Sequence, residues 1–262
     1  MESLLRIRYH LRLLRKLKKL REIVSFKDIL SEIIFDRPCN PMVLKNGFKI
    51  YHFGERIIFK IFYDIFVSEE YTSKFLKIEN GDTVVDIGAH IGLFTIFAKS
   101  KAKCKIYCYE PHPQNFQMLI KNIEENKLED VFAYPFAVSN SSGIEKLYLN
   151  GQSTLHSMVP SSKKNYINVK SVTLSEIFES NNLNRINFLK MDCEGKEFDI
   201  ILSTPKNLLK RIDKISLEFH EESTNYNQYD LQKYLSECGF KVIISTAIST
   251  PLLGHLFAWQ IR

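Results

Sequence analysis

From residue 83 onward the chain alternates between two hydrophobic periods, and this alternation limits the architectures open to it. Short apolar β-type runs fall at 83–87, 104–109, 130–137, 186–191 and 213–219. Helical patterns cover about 91–100, 113–126, 194–203 and 227–238. Strands and helices in this rhythm specify parallel strands joined by crossovers. The expected class is therefore α/β, with a doubly wound, mostly parallel sheet. One insertion, at about 143–172, breaks the rhythm. There "IEKLYL" and "YINVKSV" read as hairpin strands, joined by the polar loop "NGQSTLHSMVPSSKKN". The chain closes on "KVIIST" and "HLFAWQIR". These strands lie too close together for a crossover helix, so the last should run antiparallel.

The residues before 83 read differently. "MVLKNGFKIYHFGERIIFKIF" suggests strands and hairpins around an Asn46-Gly47 turn, and "SEEYTSKFLKI" a helix with Ser68 as its N-cap. Residues 2–24 place Leu4, Ile7, Leu11, Leu14, Leu17 and Val24 at three-to-four spacing, with Arg and Lys on the other faces. That is a basic amphipathic helix. "SFKDILSEII" adds a second short helix. The organisation expected is a helical arm at 1–40 and a single larger domain at 41–262.

Charge separates the same two parts. The chain carries +6 overall, but residues 1–21 hold eight Lys/Arg against one Glu, which leaves the remaining 241 residues at −1. A near-neutral domain with a basic arm speaks against nucleic acid as a partner. The arm suits either peripheral contact with an anionic membrane through residues 1–24 or a packing face, on the domain itself or on a second copy in a homodimer. No apolar run approaches the ~20 residues that span a bilayer. The charged N-terminus lacks a secretory pattern. The five cysteines form no C-x-x-C pair. A cytoplasmic setting is expected, at the membrane surface if the arm docks there.

The chemistry begins at "DIGAHIG". Asp86 ends a strand, Gly88 permits a sharp turn, and Gly92 opens the following helix. A glycine turn at a helix start is a place for a ligand to approach the backbone. The second strand ends in Glu110, 18 residues after Gly92. A carboxylate there accepts two hydrogen bonds side by side, as a ribose diol offers them. The spacing G-x-x-x-G departs from the dinucleotide pattern G-x-G-x-x-G, which argues against an NAD-dependent oxidoreductase. A non-catalytic, membrane-docked nucleoside-binding protein is a further alternative.

In order, "VVDIGAHIGLFTIFA", "CYEPHPQNFQMLIKNI", "FAVSNSSG", "VKSVTLSEIF", "INFLKMDCEGKEFDIIL" and "ISLEFHE" resemble the FkbM family of S-adenosylmethionine-dependent methyltransferases. The resemblance covers roughly residues 45–245. It implies a Rossmann-like, seven-stranded class I methyltransferase fold with S-adenosyl-L-methionine as cofactor. It also implies roles. Asp86, Gly88, Ala89, His90 and Gly92 would cradle the amino-acid end of the donor, and Glu110 would hold the ribose. Pro111 and His112 would shape the adenine side, with Ala137 and Val138 along the ring. Asp192 would face the methionine amine or the acceptor. His90 stands where the family pattern leads one to expect Asn.

Ligands of an open α/β sheet bind outside the carboxyl ends of its strands. Asp192, Glu218 and His220 end the fourth and fifth parallel strands and are the candidate catalytic residues; Asp192 or His220 could take a proton from an acceptor hydroxyl. Glu194 reads more simply as a helix-opening acid. Asp192, Glu218 and His220 lack a ligand spacing, and no metal is expected. Ser153, Thr154 and His156 of the polar loop could meet a hydroxylated acceptor. The function expected is O-methylation of a hydroxyl on a sugar, glycolipid or other secondary metabolite, so the partner is a small-molecule or glycan hydroxyl acceptor.

Overall fold

The computed structural model describes residues 18–25, 39–73, 75–149, 165–221, 225–247 and 250–261. Most of the amphipathic helix expected at 2–24, the second short helix, and Ser153, Thr154 and His156 lie outside the described residues. Residues 18–23 are helical, and Leu20 and Val24 are buried in the domain core. Val24 forms an isolated bridge with Leu44, and the Lys45 N–H donates to the Ile23 carbonyl at 2.8 Å. The last turn of the stripe is thus a packing face. Among the described residues no helix is long and apolar enough to cross a membrane.

A small hairpin comes first: β1 (Met42–Val43) pairs antiparallel with β2 (Lys49–Ile50) around Asn46-Gly47. The segment "IIFKIF", expected as a strand, is instead helix α1 (Ile57–Phe62), continued by a π-helical turn at Tyr63–Val67. Ile58, Phe62, Ile65, Phe66 and Val67 are its buried side chains, and the three-to-four spacing of the first four places one face on the core. The helix expected from Ser68 does not form. Glu69 takes a left-handed φ of 55°, and Ser73 turns the chain by accepting the Phe75 N–H on its hydroxyl at 3.2 Å.

The main domain then runs β3 (Thr83–Ile87), α2 (Leu93–Lys101), β4 (Lys105–Tyr109), α3 (Pro113–Glu125) and β5 (Val131–Tyr134). Next come β6 (Ala137–Val138), β7 (Gly143–Tyr148), β8 (Tyr166–Val172), α4 (Leu174–Ser180) and β9 (Ile186–Met191). The chain ends with α5 (Glu197–Ser203), α6 (Lys206–Leu209), β10 (Ile212–His220), α7 (Gln228–Glu237), β11 (Phe240–Ala247) and β12 (Thr250–Gln260).

Seven strands form one sheet in the order β11-β12-β10-β9-β3-β4-β5. The four pairings among the five strands from β10 to β5 are parallel, and β12 runs antiparallel to both neighbours, as its short connection required. The single run expected at 130–137 splits. β5 joins the main sheet, whereas β6 joins the β7–β8 hairpin in a separate three-stranded sheet. Helix α4 was not among the expected helices, although Thr173 and Glu176 form a reciprocal capping box that is legible as T-x-x-E.

Alternate residues of the parallel strands feed two cores. Val84, Ile106, Cys108 and Phe188 pack on one face with α2 and α3. Val85, Tyr107, Leu189 and Ile215 pack on the other. Both faces are covered, which is why these strands read as nearly continuous apolar runs. The strand order reverses between β3 and β9, so the crevice outside their carboxyl ends is where a ligand belongs.

Candidate active site

A cavity of about 270 Å³ opens at that crevice. Gly88, Ala89, His90, Glu110, Pro111, Ala137, Val138, Asp192 and Glu218, all singled out from sequence, line it. Asp86, Gly92, His112 and His220 do not; each supports a residue or loop that does.

The glycine turn is shaped by close packing. Gly88, at φ 72°, lies so near β9 that a Cβ there would sit 1.7 Å from the Asp192 carbonyl oxygen. No side chain fits between the two strand ends. Gly92 precedes α2 as its N-cap, at φ 88°, and a Cβ would meet Leu119 of α3 at 2.7 Å. Its bareness therefore serves helix packing. His90 adopts a left-handed φ of 51° between them.

Beneath the turn lies a buried ion pair. Asp86 is wholly buried, accepts the Thr95 hydroxyl at 3.0 Å and faces the Lys190 ammonium at 3.2 Å. Lys190 also donates to the Gly88 carbonyl at 2.8 Å and lies 5.2 Å from the Tyr71 ring centroid. Burial works against the lysine's charge, but Asp86 and Asp192 outweigh it and raise its pKa.

Glu110 marks one end of the cavity. It is 5% exposed, and its two oxygens accept the His90 N–H at 2.8 Å and the His112 N–H at 2.9 Å. Burial pushes its pKa up to about 7, against those two donors.

The other end is a group of side chains at the tips of β9 and β10. The Tyr71 hydroxyl donates to Asp192 at 2.8 Å and lies 3.4 Å from Glu218. Burial and these two carboxylates raise the tyrosine's own pKa well above its ordinary value. Burial opposes the Asp192 charge, but Lys190 and His220 outweigh it and hold its pKa below the usual aspartate range. Burial and Asp192 raise Glu218 to about 7 and Glu194 to about 8. His220 is raised to about 10: burial disfavours its charge, but Glu197, Glu194 and Asp192 favour it more strongly. Its Nε2 faces Glu194 at 3.4 Å and its Nδ1 faces Glu197 at 3.5 Å. Helix α5 begins only at Glu197, so Glu194 is not a helix-opening acid; it lines the cavity.

Three residues escaped the sequence reading. Lys190 had a signal, a lone lysine inside the apolar run "INFLKM". Glu197 had a weaker one in "DCEGKE". Tyr71 had none, because it meets Asp192 across 121 positions of chain.

The cavity thus pairs a fixed two-oxygen acceptor with a carboxylate-rich end. This donor set fits a nucleoside diol at Glu110 and a positively charged sulfur near Asp192. The model of the methyltransferase FkbM domain matches residues 86–242. Hexuronic acid methyltransferase AglP of Haloferax volcanii is 26% identical over 162 residues, 61% of this chain and 63% of that protein. Methyltransferase 1 of Beauveria bassiana is 26% identical over 165 residues, 55% of this chain and 66% of that protein. The chain therefore spans about two thirds of these relatives' lengths. The crystal structure of a methyltransferase FkbM from Methylobacillus flagellatus shares the fold, with TM-score 0.52 and 15% identity over 71% of this chain and 46% of that one. By the family match, which takes in the glycine turn, Glu110 and both acidic strand ends, the chain belongs to the FkbM family of S-adenosylmethionine-dependent methyltransferases.

Proposed function

We propose that this protein moves a methyl group from S-adenosylmethionine to a hydroxyl oxygen of a sugar, glycolipid or other secondary metabolite. The observation that carries the reading is one cavity holding Glu110 at one end and the Tyr71–Asp192–Glu218 group at the other. The donor supplies a methyl on a cationic sulfur. Glu110 holds the ribose hydroxyls with oxygens already oriented by two backbone N–H groups. Ala137 and Val138 give the adenine an apolar wall, and the Gly88–His90 backbone borders the amino-acid end. Asp192, kept ionised, complements the positive charge. The Tyr71 hydroxyl is given to Asp192, which leaves Glu218 as the carboxylate placed to take the acceptor proton. A relative named for hexuronic acid methylation supports a sugar acceptor. A lipid-linked acceptor would also give the basic arm a partner. That reading requires full-chain binding to anionic vesicles that weakens with salt and is lost without residues 1–17.

Calorimetry tests the core of the proposal. S-adenosylmethionine and its demethylated product should bind and NAD should not. Binding of NAD without binding of the methyl donor would overturn it.

A further inference from the structure

We propose that Asp192, Glu194 and His220 form a divalent-cation site at the acceptor end of the cavity. One ligand atom from each lies within 4.8 Å of the other two, close enough for one ion to bridge all three after small side-chain rotations. Two carboxylate oxygens and an imidazole nitrogen suit Mg²⁺ or Mn²⁺, the latter tolerating the nitrogen better. The set differs from the grouping visible in sequence, because Glu194 takes the place of Glu218.

A second observation comes from outside the triad. Glu197 is wholly buried, and its Oε1 faces the far nitrogen of His220, Nδ1, while Nε2 points toward Glu194. A metal-bound histidine commonly gives its second ring N–H to a carboxylate, which fixes the tautomer and the ring orientation. Glu197 also accepts the Cys193 N–H at 2.9 Å and the Gly195 N–H at 3.1 Å. One buried acid therefore orients His220 and holds the loop that presents Glu194.

The role rests on the methyl-transfer reading. Asp192 and Glu194 both line the cavity, so open coordination positions would face the acceptor. A coordinated hydroxyl loses its proton more readily, and that proton passes to Glu218. An ion with three protein ligands leaves room for two acceptor oxygens. The acceptor class is therefore a vicinal diol, or a hydroxyl beside a second oxygen donor.

The test is titration of the full chain with Mn²⁺ alone, followed by electron paramagnetic resonance. Saturable binding of a single ion per chain is expected, with nitrogen coupling from an imidazole. His220→Ala should remove that coupling, and Glu194→Gln should weaken binding by tenfold or more. Glu197→Gln, which leaves the ligands in place, should weaken it by ~10–100-fold. Circular dichroism checks each variant's fold, and Glu194→Gln carries the test should the buried changes unfold the chain. No saturable binding, bound Mn²⁺ without nitrogen coupling, or binding unchanged in Glu194→Gln would each overturn the site and leave a proton on His220 as the cluster's counter-charge. The titration needs no methyl donor, so its failure leaves methyl transfer standing. Conversely, failure of donor binding in calorimetry leaves the cation result intact.

Discussion

The two ends of the cavity are built from different material. At the end proposed for the donor, backbone does most of the shaping: Gly88 against the Asp192 carbonyl, and the His90 and His112 N–H groups on Glu110. At the end proposed for the acceptor, side chains from distant segments meet: Tyr71, Asp192, Glu194, Glu218 and His220. A backbone-built site is constrained by strand geometry and suits a ligand that does not change. A side-chain-built site can be rewritten one residue at a time, which suits a ligand that varies.

That contrast can be broken most sharply at Glu218. Glu218→Gln should cost ~10²–10⁴ in turnover, the usual loss for a proton acceptor, while donor affinity stays within about twofold. Steady-state rates beside calorimetry on the same preparation check both halves. Equal loss of donor affinity would mean that the two ends are not separable. Next in size is Lys190→Met, which strands Asp86 as a buried charge and should destabilise the fold by ~3–5 kcal/mol in chemical denaturation. Adding Asp86→Asn should recover part of that loss. Glu110→Ala should weaken the donor about tenfold or more, since it removes hydrogen bonds to a charged group worth ~1.5–3 kcal/mol each. Turnover at saturating donor should change less.

The smallest effect expected is on pH. Glu110 titrates at about 7 in the fold, above its ordinary range, because of burial. Its carboxylate form, which the proposed ribose role needs in order to accept both hydroxyls, appears only as pH rises through that value. Donor affinity should therefore improve a few-fold on moving upward through about pH 7, and the dependence should vanish in Glu110→Gln. The stability contribution has the opposite sign: it is present in full below the unfolded pKa and lost as pH rises through about 7. Calorimetric affinity and urea midpoints across this window check the two signs together.

Legibility in the sequence followed the same divide. The strands, the glycine turn and Glu110 were readable because period and spacing along one stretch of chain determine them. Helix α1 was not, because "IIFKIF" is apolar at every other position as well as at helical spacing, and a short apolar run does not separate the two periods. The helix expected from Ser68 failed on a left-handed Glu69, for which the local sequence carries no marker. Tyr71 was invisible as a site residue because its partner lies 121 positions away, and Lys190 stood out only as a lone lysine in an apolar run, its partner in the turn lying 102 positions away. Asp86 and Gly92 were legible as a motif, yet the side chain of one turns inward to Lys190 and the other abuts Leu119.

The Lys190 ammonium ties three neighbouring segments together, since it reaches Asp86 at the end of β3, the Gly88 carbonyl in the turn, and the face of Tyr71. The glycine turn is therefore not a transferable module. Grafted onto another scaffold without a lysine from the adjacent strand, it would carry an unneutralised acid into the core and a carbonyl with nothing to hold it. Any attempt to redesign which nucleoside this enzyme accepts has to treat residues 86–92 and 190–192 as one unit of change.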